Sequence, residues 1–222
     1  SMTQKPLEEE QIQLFFSDIE PLAASKVLIR LEKENLSIGE RVLAHELQLT
    51  VRGQEKIGII GPNGVGKSTL LAKLHQLLSG KREISLGFMP QDYQETLQLD
   101  LSPVEFLSQT GHKEEIQKIQ SHLASLNFSY PEMHHQIHSL SGGQQGKLLL
   151  LNLVLRKPNF LLLDEPTRNF SPTSQPEIRK LFANYSGGLV TVSHDRRFLK
   201  EVCTSIYSLT EHGLEVVDLQ DL

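Results

Sequence analysis

A glycine-rich segment at residues 61–68 constrains the fold of this chain more than any other feature of its sequence. It reads Gly-Pro-Asn-Gly-Val-Gly-Lys-Ser, which fits the pattern G-x-x-x-x-G-K-[ST] at every fixed position. The apolar run at residues 56–60 is typical of a buried parallel strand, and leucines recur at helical spacing over residues 68–78. A strand, a glycine loop and a helix in this order predict a phosphate-binding loop.

The residue types of this segment suit the binding of an anion. Glycines let the backbone fold into a nest of N–H groups, and the following helix adds its positive N-terminal end. In such a loop Lys67 reaches the β- and γ-phosphates and the Ser68 hydroxyl ligates Mg²⁺. The predicted nucleotide-binding residues here are Gly61, Pro62, Asn63, Gly64, Val65, Gly66, Lys67, Ser68 and Thr69.

A second candidate cluster stands at the end of another apolar run, at residues 160–163, where Asp164 and Glu165 follow. A strand end beside a phosphate loop is where a Mg²⁺-binding aspartate is needed, so Asp164 is the predicted metal ligand. Glu165 is then placed to polarise the attacking water as general base. Taken alone, the pair has the alternative interpretation of two solvated acids, and the phosphate loop argues against it.

Patterns typical of strands and helices alternate along most of the chain. This alternation predicts an α/β fold with a mostly parallel sheet, preceded by an antiparallel β region. A polar stretch at residues 92–140 interrupts it with helical spacing, and a capping box with a proline begins one helix at Ser102. The predicted strands are at 27–29, 42–51, 56–60, 84–89, 160–163, 189–192, 205–209 and 214–217; the predicted helices are at 68–78, 114–126, 142–156, 175–185 and 196–202.

Composition limits the class of protein. The chain has 222 residues, of which 38% are hydrophobic, and a net charge of −5, which favours a soluble globular domain over a free-standing nucleic-acid binder. No apolar run reaches the roughly 18 residues that span a bilayer, so no direct membrane insertion is expected. Its single cysteine, Cys203, excludes an internal disulfide and fits a cytoplasmic location. A buried place for Cys203 is expected.

The first 25 residues differ from the rest. They are polar and acidic, and Ser1 ahead of Met2 is typical of a remnant of expression cloning. We interpret residues 1–25 as a leader or linker, with an apolar patch at residues 14–16 that docks on the domain. The domain itself is expected to occupy residues 26–222, with a helical subdomain at about residues 92–157 inserted in the α/β core.

Residues 140–144 read Leu-Ser-Gly-Gly-Gln, and here the sequence resembles a known family, the ATP-binding cassette (ABC) ATPases, whose signature motif has these letters. The resemblance covers about residues 26–222 and implies a phosphate-loop fold, with ATP and Mg²⁺ bound and ATP hydrolysed. It also implies that two cassettes pair head to tail, each ATP lying between the phosphate loop of one and the signature motif of the other. The residues thereby assigned to the partner's ATP are Ser141, Gly142, Gly143 and Gln144.

Two further positions match this family. Gln91, in Gly-Phe-Met-Pro-Gln, resembles the glutamine that contacts Mg²⁺ and the attacking water. His194, in Val-Ser-His-Asp, resembles the histidine that contacts the γ-phosphate. The resemblance therefore implies Glu165, His194 and Gln91 as catalytic residues and Ser68, Gln91 and Asp164 as metal ligands.

The sequence departs from the family pattern at two places. Ile38 occupies the position where an aromatic residue usually stacks on adenine, so a stacking contribution of about 1 kcal/mol is expected to be absent and the base selectivity weak. Ser171 stands where the D-loop usually ends in aspartate, which predicts altered coupling between two paired sites.

Several cues resemble the ABC-F branch, whose members carry two cassettes on one chain and act on ribosomes. They are the run Ser-His-Asp-Arg-Arg-Phe-Leu at residues 193–199, Lys147 after the signature motif, a short helical insert and the acidic leader. This resemblance implies the second cassette of a translation factor or of an antibiotic-resistance protein that protects the ribosome. The alternatives are a nucleotide-binding subunit of a membrane transporter and a cassette that switches conformation with little hydrolysis.

Other polar clusters carry no functional prediction. His134, His135 and His138 lie close in sequence, but without further nearby ligands they are interpreted as a polar surface of the helical insert. The basic pairs at residues 179–180 and 196–197 are interpreted as solvated faces.

Overall fold

The computed structural model describes residues 14–222. In this part of the chain six strands form one sheet and two form another. The strands are β1 (Val27–Ile38), β2 (Arg41–Arg52), β3 (Lys56–Ile60), β4 (Leu86–Met89), β5 (Phe160–Asp164), β6 (Gly188–Val192), β7 (Ser205–Thr210) and β8 (Gly213–Val217). The helices are α1 (Lys67–Ser79), α2 (Pro103–Leu107), α3 (Lys113–Ser125), α4 (Tyr130–His134), α5 (Gly142–Arg156), α6 (Gln175–Ala183) and α7 (Arg196–Val202).

The larger sheet has the strand order β4-β5-β6-β3-β7-β8. Its first five strands are parallel, and β8 returns antiparallel to β7. Every residue of β5 and β6 is buried, as expected where helices cover both faces of a parallel sheet. The predicted α/β fold with a mostly parallel core is thereby confirmed.

The strand order decides which loops meet. The neighbours β5, β6 and β3 are parallel, so their carboxyl ends lie at one edge of the sheet. β3 ends at Ile60, β5 at Asp164 and β6 at Val192. The segments that follow these three strands therefore emerge side by side, which is where open α/β sheets bind ligands.

The smaller sheet is the antiparallel hairpin of β1 and β2, whose turn lies at Gly39-Glu40. Its inward leucines join one core cluster with the buried leucines of α1 and with apolar residues of β3, β5 and β6. His45 N also donates a 2.9 Å hydrogen bond to Glu211 O, in the turn between β7 and β8. The hairpin is thus held against α1 and the sheet.

A second core cluster lies on the other face of the large sheet. The helical insert and α5 both contribute to it, and it includes Leu107, Ile119, Leu123, Ile137 and Leu148. Ser102 begins α2 as its N-cap, with its hydroxyl accepting from Glu105 N at 3.2 Å and a proline in the first turn, as predicted. The predicted capping box is only half formed, because among residues 14–222 Ser102 N makes no reciprocal hydrogen bond to the Glu105 side chain. The insert thereby packs on the helix that carries the signature sequence.

Most predicted elements are found with small shifts of their ends, but the strand predicted at residues 27–29 continues to Ile38. The short prediction is wrong because residues 30–38, although mostly polar and exposed, pair with β2. The helix predicted at residues 142–156 has those bounds, whereas β4 begins only at Leu86 and α6 ends at Ala183. Ser85 is left out of β4 because its N–H donates to the Asn159 side chain at 2.8 Å and not to a backbone carbonyl of a neighbouring strand. Cys203 lies just after α7 and is buried with the core, as predicted.

The prediction that residues 179–180 form a solvated face is wrong for Arg179. This side chain is 5% exposed, and its Nε donates a 2.8 Å hydrogen bond to Glu201 Oε2 on α7. A buried guanidinium is tolerated here because a carboxylate from the neighbouring helix pairs with it. Lys180 is exposed, as predicted.

The apolar patch at the start of the described chain docks as predicted. Leu14 is buried, and the ring of Phe16 lies 4.8 Å from that of Tyr185 and 6.0 Å from that of Phe182, between centroids. Phe15 is 65% exposed. The interpretation of Ser1 and Met2 falls outside the described residues, and the domain division at residue 26 stays a prediction.

Candidate functional site

The glycines of the phosphate loop are required by the backbone. Gly66 is the N-cap of α1 with φ 99°, and a Cβ there would lie 3.0 Å from Leu43 and 3.1 Å from Leu36. Gly61 has φ 155°, and a Cβ there would lie 2.8 Å from Leu209 O. Glycine alone adopts these angles in this space at little cost. The loop can therefore turn tightly from β3 into α1 and open its N–H groups outward.

Lys67 lies over this loop. Its Nζ donates to Gly61 O and, at 3.2 Å, to Pro62 O, and it lies 3.2 Å from His194 Nε2. Burial lowers the pKa of the Lys67 ammonium, while the negative charges of Glu165 and Asp164 oppose that shift. The loop's own carbonyls thus hold the cation at the centre of the site.

A hydroxyl and a carboxylate from distant parts of the chain meet beside Lys67. Ser68 Oγ donates a 2.8 Å hydrogen bond to Asp164 Oδ2. Asp164 Oδ1 is buried and finds no hydrogen-bond partner among residues 14–222. Burial raises the pKa of the Asp164 carboxyl, and the Ser68 hydrogen bond and the Lys67 charge oppose that shift.

This pair fits a Mg²⁺ ion. Mg²⁺ prefers oxygen ligands and is usually held by one or two carboxylates together with substrate phosphates. An unpartnered, buried carboxylate oxygen beside a hydroxyl supplies such ligands, and Gln91, whose side chain carries an amide oxygen, lines the same cavity. Among residues 14–222, no three His, Cys, Asp or Glu side chains are grouped to hold a metal by themselves, so an ion here would depend on phosphate oxygens as well.

Glu165 and His194 contact each other at the ends of β5 and β6. Glu165 Oε2 accepts from His194 N at 3.2 Å, and Glu165 Oε1 lies 3.4 Å from His194 Nε2. Glu165 has φ 50°, a left-handed conformation that costs about 1 kcal/mol, and its N–H donates to Val192 O at 2.8 Å. His194 Nε2 also lies 3.1 Å from Asn63 Oδ1. The Glu165 side chain is therefore held toward the phosphate loop.

These groups line one cavity of about 870 Å³. Of the predicted site residues it contains Asn63, Gly64, Gly66, Lys67, Ser68, Thr69, Gln91, Asp164, Glu165 and His194. Gly61 and Pro62 instead offer their carbonyls to Lys67, and Val65 packs beside the hairpin core. A cavity of this size accommodates a nucleotide, since ligand pockets range over about 300–1,000 Å³.

Ile38 lines the cavity, as expected, and is 58% exposed. Several other residues that line the cavity were not predicted from the sequence. Its strand partner Arg41 was not predicted, although a hairpin turn at Gly39 places residues 38 and 41 opposite each other. The other unpredicted lining residues are Leu43, Thr167, Arg168, Gln175, Val192 and Asp195. Asp195 directly follows the predicted site residue His194, and residues 167 and 168 come two and three positions after Glu165, so proximity in sequence is a signal that could have found them.

The signature residues lie outside this cavity. Ser141 is the N-cap of α5, and Gln144 N donates to Ser141 Oγ while Ser141 N donates to Gln144 Oε1, both at 3.2 Å. Gln144 Nε2 also donates to Glu132 Oε2 on α4. A Cβ built on Gly142 or Gly143 would meet nothing within 4 Å. The first turn of α5 therefore opens to the exterior of this chain.

The segment around Ser171 is tied to its own neighbours. Ser171 Oγ lies 3.0 Å from Thr173 Oγ1 and 3.2 Å from Ser174 Oγ, just ahead of α6.

The three histidines of the insert do not share a helix face: His134 ends α4, and His138 lies in a separate 3₁₀ turn. Among residues 14–222, every helix is too short or too polar to cross a bilayer.

Known proteins resemble this chain along most of its length. The family model described as "ABC transporter" matches residues 44–168. "Probable ATP-binding protein YheS" of Escherichia coli K12 is 31% identical over 210 residues, covering 91% of this chain and 33% of that protein. "ABC transporter F family member 2" of Arabidopsis thaliana is 27% identical over 223 residues, covering 96% of this chain and 32% of that protein. The chain thus spans about a third of the length of these relatives.

Solved structures show the same fold. The dimeric ATP-binding cassette MJ0796 bound to ADP and Pi superposes with a TM-score of 0.71 at 20% identity, over 86% of this chain and 98% of that one. A bacterial Atm1-family ABC exporter with ATP bound gives 0.71 at 16% identity, over 94% of this chain and 42% of that one. With the family model matching more than half of its residues, this chain belongs to the ABC transporter family and is an ABC-type ATPase cassette.

Proposed function

We propose that this chain binds Mg·ATP in the cavity beside the phosphate loop and hydrolyses it when paired head to tail with a second cassette. The observation that carries this proposal is the meeting of Ser68, Asp164 and Glu165 with Lys67 at one sheet edge. A hydroxyl and an unpartnered carboxylate oxygen suit Mg²⁺, a buried lysine suits the phosphates, and a second carboxylate stands beside them.

Each residue then has a role in binding. The loop N–H groups and Lys67 hold the β- and γ-phosphates, and Ser68, Asp164 and Gln91 hold the metal. When bound, Mg²⁺ neutralises charge that develops on the phosphate oxygens. The carbonyls of Gly61 and Pro62 keep Lys67 over the loop, so the cation is in place for the nucleotide.

Glu165 is the proposed general base. Its contacts with His194 direct its carboxylate into the cavity, where it can accept a proton from a water aligned with the γ-phosphate. His194, 3.2 Å from Lys67 Nζ, then contacts the γ-phosphate itself. Gln91 can both donate and accept a hydrogen bond and so can orient the same water.

The partner cassette completes the site in this proposal. Ser141 and Gly143 lie at the open first turn of α5, where a hydroxyl, N–H groups and the helix N-terminus are offered to an anion outside this chain's own cavity. The similar cassette MJ0796 is described as dimeric. An isolated monomer would therefore bind ATP and turn it over slowly.

For the whole protein we propose an ABC-F factor that works on the ribosome in the cytoplasm, with this chain as its second cassette. The support is the likeness to "ABC transporter F family member 2". In addition, this chain matches only 32% of the length of that protein, so the rest of such a relative is long enough to hold another cassette. Translation and antibiotic resistance through ribosome protection are the two activities this assignment allows.

A transporter subunit is the second candidate, and a specific cavity favours it. A space of about 380 Å³ adjoins the nucleotide cavity and shares Ser68, Gln91 and Asp164 with it. Its other walls include Phe88 and Pro90, so it offers an apolar cleft beside the metal ligands where a helix of a membrane partner could insert.

One experiment separates the two candidates. Cells would make the full-length protein with Glu165→Gln, together with the equivalent change in any second cassette, and the lysate would be sedimented with and without Mg·ATP. Association with ribosomes that disappears without ATP supports the ABC-F proposal. Association with membranes instead would assign the protein to a transporter and leave the ATPase proposal intact.

A further inference from the structure

The segment between β5 and α6 carries an arginine into the nucleotide cavity. Arg168 N donates to Glu165 O at 3.2 Å, and Thr167 Oγ1 donates to Asp195 Oδ2 at 2.9 Å. Phe170 is buried against α5, where a Cβ on Gly146 would lie 2.7 Å from its ring. Contacts on both sides of Arg168 thus fix the backbone from which this side chain extends.

Arg168 lies at the phosphate end of the cavity. It lines this cavity together with Lys67 and Ser68 of the phosphate loop. Asp164, the proposed metal ligand, and Glu165 line it as well. The positive charge of Arg168 is therefore placed in the same cavity as the groups that would surround the phosphates.

The guanidinium has its donors available. Within the part of the chain that the structure describes, the Arg168 side chain makes no hydrogen bond or ion pair, and the residue is exposed. By contrast, Arg179 pairs with Glu201 and Arg52 pairs with Glu55. A guanidinium presents planar donors that match two phosphate oxygens at once. Arg168 thus combines position, charge and unused donors.

We propose that the Arg168 guanidinium contacts the γ-phosphate of the nucleotide held in this chain's own cavity and so makes the site prefer ATP to ADP. This inference rests on the proposed function, because it needs Mg·ATP in the same cavity. It assigns to Arg168 a role in recognising the terminal phosphate, beside Lys67, which serves the β- and γ-phosphates together.

The test compares triphosphate and diphosphate binding to the full chain carrying Arg168→Ala. Affinities for Mg·ADP and for a non-hydrolysable Mg·ATP analogue would be measured by calorimetry, at concentrations where light scattering shows a monomer. Loss of a charged hydrogen bond predicts a fall of about tenfold in affinity for the triphosphate, with affinity for ADP unchanged. Arg168→Lys should recover part of the loss, since it keeps the charge but not the planar fork.

Arg82→Ala is the matched control, because Arg82 is exposed and lies outside the cavity. An equal loss for both nucleotides, no loss for either, or an effect seen only on dimer formation would each overturn the assignment of Arg168. Lys67→Ala reports separately on the proposed function. If wild-type chain binds no Mg·ATP, or if Lys67→Ala binds it as wild type does, the proposed function fails and the inference with it.

Discussion

The Ser68 hydroxyl donates a 2.8 Å hydrogen bond to Asp164 Oδ2, which leaves Oδ1 of the same carboxylate buried without a partner among residues 14–222. A buried carboxylate oxygen without a partner is costly unless a cation or donor meets it. The two residues come from the start of α1 and the end of β5. Their contact is the basis for the first prediction, on Mg²⁺.

Asp164→Asn should remove most of the Mg²⁺ dependence of ATP binding. The amide keeps the shape of the side chain but loses the charge that attracts the ion, so affinity for Mg²⁺ in the presence of ATP should fall at least about tenfold. Titration of Mg²⁺ at a fixed ATP concentration measures this affinity. Asp100→Asn, on an exposed residue outside the cavity, is the control. An unchanged Mg²⁺ midpoint would refute the assignment of Asp164.

Lys67→Ala should weaken binding of Mg·ATP about a hundredfold or more, because a buried cation that faces two phosphates is removed. Calorimetry with a non-hydrolysable ATP analogue measures the loss. Lys73→Ala is the matched control, since Lys73 lies on the same helix but pairs with Glu34 at 2.9 Å outside the cavity. Equal effects of the two variants would show that the loss is structural.

Glu165→Gln should keep ATP binding, lower steady-state hydrolysis about a hundredfold or more, and let ATP hold a closed dimer. Glutamine preserves the size of the side chain but cannot take up the proton of the attacking water. Phosphate release and light scattering with Mg·ATP measure the two effects. Glu215→Gln, on an exposed strand residue, should behave as wild type. Hydrolysis at the wild-type rate would mean that Glu165 is not the base.

The base of the nucleotide should be weakly selected. Ile38 is the exposed hydrophobic residue at the hairpin end of the cavity, and it offers no ring for stacking. Affinities for ATP and GTP should differ by less than about tenfold, and Ile38→Tyr should raise ATP affinity about fivefold by adding about 1 kcal/mol. Val42→Tyr, on the same hairpin but outside the cavity, is the control. A strong preference of the wild type for ATP would contradict the prediction.

Glu115 should stabilise the fold in a pH-dependent way. It accepts hydrogen bonds from Ser108 Oγ at 2.5 Å and from the N–H groups of Gln109 and Thr110, and these lower its pKa from 4.5 to about 2. The depressed pKa belongs to the folded state. Its contribution is therefore fully present above about pH 4.5 and is lost as pH falls toward 2.

Glu115→Gln should consequently melt at a lower temperature than wild type at pH 7, and the difference should shrink below about pH 4.5. Thermal melts of both proteins from pH 7 to pH 3 measure this difference in melting temperature. Glu114→Gln, one residue earlier on the same helix and exposed, is the control. A difference that stays constant across this range would show that the Glu115 charge does not act through its hydrogen bonds.

Local patterns in the sequence were sufficient for much of the site and the fold. The glycine loop at residues 61–68, the apolar run ending at Asp164 and the helix at residues 142–156 each depend on short-range backbone geometry, which neighbouring residues determine. That is why most elements other than β1 were predicted with ends shifted by only a few residues, and why residues 61–69 and 164–165 could be identified together as candidates.

Only the tertiary structure decided how these pieces meet. The order β5-β6-β3 brings Asp164 to Ser68 and Glu165 to His194, and no local pattern states a strand order. Arg179 is buried because Glu201 on another helix pairs with it, and Arg168 faces the cavity because anchored neighbours hold its loop there. Burial and pairing depend on residues far apart in the chain, so a charged side chain that looks solvated in sequence can serve a core or a site.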